Sequence, residues 1–109
     1  MVFVAIYCSG KGPELEAFME DNGVQIVVDN DRIFFTWPDD FGLPSTDPPN
    51  PPESLINKII APLFRKYEVL SVGWGESNKM AIDGLIFAES HGRALVRYSY
   101  MGFDILVPD

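Results

Sequence analysis

The chain has 109 residues, 47% of them hydrophobic, and a formal net charge of -8. That length suits one domain, residues 1–109, with a core large enough to fold without staples, and leaves no room for two ordinary domains. A field of this sign repels phosphate backbones and anionic lipid and attracts cations, so the expectation is a basic protein partner, with no direct nucleic-acid binding and no membrane.

The charge is unevenly placed. Residues 1–54 hold ten acids, Glu14, Glu16, Glu20, Asp21, Asp29, Asp31, Asp39, Asp40, Asp47 and Glu53, against Lys11 and Arg32 alone. From residue 55 onward acids and bases balance, so the first half carries the whole deficit. With a single cysteine, Cys8, no intramolecular disulfide can form, which favours a reducing compartment. The apolar run from Val2 to Tyr7 is too short for a membrane span and lacks the basic leader of a signal peptide, so a cytoplasmic location is expected.

Val2 to Cys8 reads as a strand covered on both faces, because its apolar residues are nearly continuous. Ser9-Gly10-Lys11-Gly12 breaks it, and Pro13 opens a helix whose Leu15, Phe18 and Met19 share one face. Gly23 ends that helix. A hairpin follows: Val24, Ile26 and Val28 alternate with Gln25, Val27 and Asp29, Asp29 to Arg32 turn the chain, and Ile33, Phe35 and Trp37 alternate with Phe34 and Thr36 on the return.

Residues 38–52 are a proline-rich internal loop, with six of the nine prolines, and no helix or central strand survives that density. Asn50, Pro51 and Glu53 have the spacing of a capped helix start. The helix itself shows the clearest period in the chain, in Leu55, Ile56, Ile59, Ile60, Leu63, Phe64 and Tyr67. Pro62 lies inside it and predicts a kink, at a cost of about 3 kcal/mol if uncompensated.

Everything after Glu68 reads as an antiparallel meander: Val69 to Trp74, Met80 to Glu89, Ala94 to Met101 and Phe103 to Val107. Tight turns at His91-Gly92 and Met101-Gly102 set Leu85, Phe87, Val96, Tyr98, Ile105 and Val107 on one apolar face, the expected seat of the second helix. Arg97 then lies diagonal to Asp104. The opposite face, with Ile82, Ile86, Leu95 and Leu106, would suit a homodimer if exposed. The expected fold class is therefore α+β, a split βαβ (ferredoxin-like) order β-α-β-β-α-β followed by a C-terminal antiparallel meander, with the helices on one sheet face.

No motif fixes a chemistry. The turn before Pro13 lacks the Gly-Lys-Ser/Thr of a phosphate loop, and Glu14 and Glu16 would repel an anion there. Cys8 beside Lys11, with His91 as the chain's one histidine, could furnish a thiol nucleophile and a base for a small enzyme or ligand-binding domain, although neither residue lies in a catalytic motif. One Cys and one His make no zinc site without carboxylates, and Asp29-Asn30-Asp31 lacks the glycine and distal Glu of a calcium loop; no metal and no cofactor is expected. Pro48-Pro49-Asn50-Pro51 has a PxxP spacing without a flanking base, which suits a rigid linker better than a ligand for an SH3-type domain.

The functional expectation is an acidic binding or inhibitory module, of the kind met in toxin-neutralising immunity proteins and in anti-defence proteins that mimic nucleic-acid charge. Its expected contact residues are Asp29, Asp31, Asp39 and Asp40, with Phe41 and Leu43 as apolar anchors.

Overall fold

A computed structural model describes residues 2–38, 52–92, 94–99 and 102–106. They form a mixed α+β domain on one six-stranded sheet. The elements are β1 (Val2–Tyr7), α1 (Gly12–Asp21), β2 (Val27–Asp29), β3 (Arg32–Trp37), α2 (Glu53–Leu55), a π-helical turn (Ile56–Ile60), α3 (Ala61–Lys66), β4 (Ser71–Gly75), α4 (Asn78–His91), β5 (Ala94–Ser99) and β6 (Gly102–Leu106). Across the sheet the order is β2-β3-β1-β4-β5-β6, antiparallel at every pair except β4 with β5.

The unbroken apolar run of β1 has its reason in this order. β1 lies between β3 and β4, and both its faces are covered: Val2, Val4 and Ile6 enter the main core, while Ala5 packs with Phe3 and Tyr7 on the other side. The main core takes Leu15 and Met19 from α1 and Leu55, Ile59, Ile60, Leu63 and Phe64 from the second helical segment, so the periodic stripe is buried as expected. Pro62 falls in the first turn of α3, directly after the π turn. The wider turn spares the i−4 carbonyl from the proline ring, which absorbs the break within a continuous helical path. The segment starts at Glu53 with Pro52 at the N-cap position; Asn50 and Pro51 lie outside the described residues.

The antiparallel meander is not what the C-terminal half forms. Residues expected as a strand, Met80 to Glu89, belong to helix α4, which links β4 to β5 as a parallel crossover. Ser77 caps it by accepting a hydrogen bond from the Met80 amide at 3.2 Å, and Gly92 closes it at φ 84°. Ala81, Gly84, Leu85 and Ala88, at i, i+3, i+4 and i+7, are its buried face. His91 is thus the last helical residue rather than a hairpin tip.

The two expected helices do share one sheet face, but α4 adds a third on the other and takes the Val96 face expected to seat the second helix. α1 and the second helical segment bury the face with Val4, Val72 and Leu95, while α4 lies on the face with Ala5 and Val96. The surface expected to serve a homodimer is consequently not assembled: Ile82 and Ile86 are helical, and Leu95 is in the core. In the last hairpin Val96 opposes Ile105 and Tyr98 opposes Phe103, two residues away from the expected register and therefore on the same faces. Arg97 lies directly opposite Asp104, and its side chain is buried, with its guanidinium 5.7 Å from the Trp74 ring centre and an ion pair to Glu76.

Candidate docking groove

One helix cannot cover six strands. On its face of the sheet α4 lies across β4, β5 and β1, and the β3–β2 side is left with an open groove of about 390 Å³. Phe34 of β3, Phe3 of β1 and Val27 of β2 form an apolar floor, Ile82 and Asn78 of α4 one side, and Asp29 the acidic margin. The register explains the grouping, since Val27 opposes Phe34 and alternation puts Val27 and Asp29 on the same face. Val27 is 67% exposed and Val28 44%, although both are β-branched residues of a strand.

The surrounding charge is one-sided. Glu14, Glu16, Glu20 and Asp21 of α1 and Asp29 of β2 are exposed. α1 packs on β3 from the opposite face, so its acids share this half of the domain but lie across the sheet from the groove, and Asp29 is the acid on the groove face itself. Both cations of residues 1–54 are engaged: Lys11 pairs with Glu14 at 3.3 Å, and Arg32 makes a bidentate pair with Glu89 at 2.9 and 3.0 Å. The Arg32 guanidinium also sits 5.5 Å from the Tyr7 ring centre, and the Glu89 bond raises its pKa further.

Of the expected contact residues, Asp29 reaches the groove. Asp31 points elsewhere: its Oδ2 faces the Gly10 amide at 3.5 Å, so a carboxylate of the chain itself occupies the turn before α1 where an anion might have been sought. Asp39, Asp40, Phe41 and Leu43 lie outside the described residues. Of the groove's own anchors, Ile82 is expected on an interaction face, though as part of a strand, while Val27 and Phe34 are not singled out by the sequence reading. Their one signal was Val27, an apolar residue in the polar phase of its strand between Gln25 and Asp29.

Of the residues of the enzyme reading, Lys11 lies close enough to Cys8 to act on its thiol, and Gly92, next to His91, shares a cavity with Cys8 without His91 itself lining it. Cys8 lines this separate cavity of about 300 Å³ with Tyr7, Ser9, Arg32, Ser71 and Glu89. Its thiol is buried and donates to the Val69 carbonyl at 3.2 Å. Burial raises its pKa, with Lys11 opposing and Glu14 and Asp31 adding to the rise, so the thiol stays protonated at neutral pH. Lys11 is held by Glu14, and the exposed His91 packs its ring 5.0 Å from that of Phe87. Among the described residues no three of His, Cys, Asp and Glu gather as metal ligands, and no helix is long and apolar enough to cross a membrane.

No protein-family model, no curated protein and no solved structure matches this chain.

Proposed function

We propose that this domain is an acidic protein-binding module, inhibitory in the manner of immunity or nucleic-acid-mimic proteins, that docks on a basic partner. The observation that carries the reading is the open groove itself, an apolar floor bordered by Asp29. Charge steers a cationic partner toward the acidic half, and desolvation of Val27, Phe34 and Ile82 supplies the affinity that exposed charge alone does not. Asp39, Asp40, Phe41 and Leu43 would extend this surface, but the reading does not depend on them. Its cellular place would be the cytoplasm, in keeping with a single buried thiol. The β1-to-β4 portion we read as a split βαβ, ferredoxin-like unit, supported by its strand order β2-β3-β1-β4 with antiparallel neighbours.

The test uses two synthetic peptides of roughly eight residues, one alternating Lys and Val and one alternating Glu and Val. Fluorescence anisotropy should show the Lys-Val peptide binding more tightly, with an affinity that falls as salt is added and is lost in Val27→Lys. Equal affinity for the two peptides, or indifference to salt, would make the acids a solubility coat.

A further inference from the structure

We infer that the partner's contact segment is an extended, basic strand that pairs with the free edge of β2, an inference that rests on the docking reading above. Among the described residues β2 is the outermost strand on its side of the sheet, and all three of its residues are exposed. Asp29 and Arg32 flank the two-residue turn Asn30-Asp31, with Asn30 at φ 57°, and are therefore the hydrogen-bonded pair that closes the hairpin. Antiparallel pairs alternate between bonded and non-bonded. Val27 with Phe34 is thus bonded again, and Val28 with Ile33 between them is not. The N–H and C=O of Val28 accordingly point away from β3, to the outer edge.

An edge strand normally carries a guard, such as a lysine, a proline or a bulge. β2 has none of these three; its protections are its length of three residues and the charge of Asp29, which repels an acidic strand and admits a basic one, and it exposes two valines. A strand laid beside it would make two backbone bonds to Val28 and set alternate side chains beside Val27 and Asp29 on the groove face. Apolar residues at those alternate positions would extend the groove floor. Bases in the other phase, and at the Asp29 end, would meet the acids of this half. A second copy of the chain fits the same edge less well, because each copy brings a net charge of -8.

The experiment separates strand pairing from docking in general. Val28→Pro removes the outward N–H while leaving every bond to β3 in place, and proline is tolerated on sheet edges. Val28→Thr keeps the N–H. The alternating Lys-Val peptide should bind Val28→Pro about tenfold or more weakly than the wild type, and Val28→Thr within about twofold. Circular dichroism checks that Val28→Pro is folded. A Lys-Val peptide N-methylated at successive central residues, which blocks both of its edges, puts the same question to the wild-type protein and should also bind about tenfold or more weakly. Undiminished binding of the methylated peptide, with the salt dependence intact and Val27→Lys still inactive, would overturn strand pairing and leave the docking reading standing. Failure of the wild type to prefer the Lys-Val peptide would overturn both. Sedimentation showing a wild-type dimer that Val28→Pro disperses would make a second copy the occupant and overturn the basic partner.

Discussion

Gly73 of β4 and Gly84 of α4 lie against each other, so that a Cβ built on Gly84 would come 3.3 Å from the Gly73 Cα and 2.6 Å from the Val96 carbonyl oxygen. A Cβ on Gly73 would stand 2.1 Å from the Ala81 oxygen and 2.2 Å from the Leu85 nitrogen. Both obstacles are backbone and cannot rotate away. Gly73→Ala should therefore cost about 3 kcal/mol, at the upper end of overpacking. Gly84→Ala should also destabilise, although alanine favours a helix by about 1 kcal/mol over glycine. Urea denaturation measures both, and unchanged midpoints would mean that α4 does not rest on β4.

The same contact explains why α4 reads as a strand in the sequence. Ala81, Gly84, Leu85 and Ala88 carry the helical spacing, and Ser77 and Gly92 its ends, but the residues that pack closely are small and weigh little in a hydrophobic pattern. The larger side chains, Met80, Ile82, Ile86 and Phe87, lie around the rest of α4 and include β-branched residues that favour strands. The first half was legible because its apolar residues are large and one-sided: Leu15 and Met19 on α1, Ile33, Phe35 and Trp37 on β3, and Leu55 to Phe64 after the loop all lie where their periods put them. The groove is not legible in the sequence, since it depends on where α4 ends across the sheet, and the pattern of α4 reads as a strand.

Ile59 and Leu63 are fully buried at the centre of the second helical segment. Replacing either with alanine should cost roughly 2–5 kcal/mol, because the packed surroundings cannot collapse fully into the space. A loss below about 0.5 kcal/mol, typical of surface sites, would contradict the burial.

Cys8 should alkylate far more slowly in the native protein than in the unfolded chain. Its folded pKa is raised by burial above the ordinary value of 9.0. Below that value both states hold the thiol proton, and its contribution to stability does not change. As pH rises through it the unfolded state ionises first, so stability falls with pH in that window. Cys8→Ala should flatten the alkaline limb of the stability profile, whereas an unchanged limb would assign the loss to other groups.

The Arg32–Glu89 pair joins β3 to the last turn of α4, with side-chain exposures of 43% and 22%. Solvent screens a pair this open, so a double-mutant cycle of Arg32→Met and Glu89→Gln should give a coupling of about 0.5–1 kcal/mol. The cycle is read from thermal or urea unfolding. A coupling indistinguishable from zero would mean that Glu89 does not hold Arg32 in solution.

Asp29 gives the most direct reading of the electrostatics of docking. It is exposed, lies on the groove face and stands opposite Arg32, whose charge is already taken up by Glu89. A margin acid of this kind acts mainly on encounter, because its attraction works at a distance and contributes little once solvent and salt screen it. Asp29→Asn should therefore slow association of the Lys-Val peptide and reduce its salt dependence, with little change in dissociation. Ile82→Ala, which removes an apolar anchor from the side of the groove without touching charge, should leave association nearly unchanged and speed dissociation. Stopped-flow traces across a salt series resolve the two constants. If Asp29→Asn altered only dissociation, or if Ile82→Ala slowed association, the division between a steering margin and apolar anchors would be wrong.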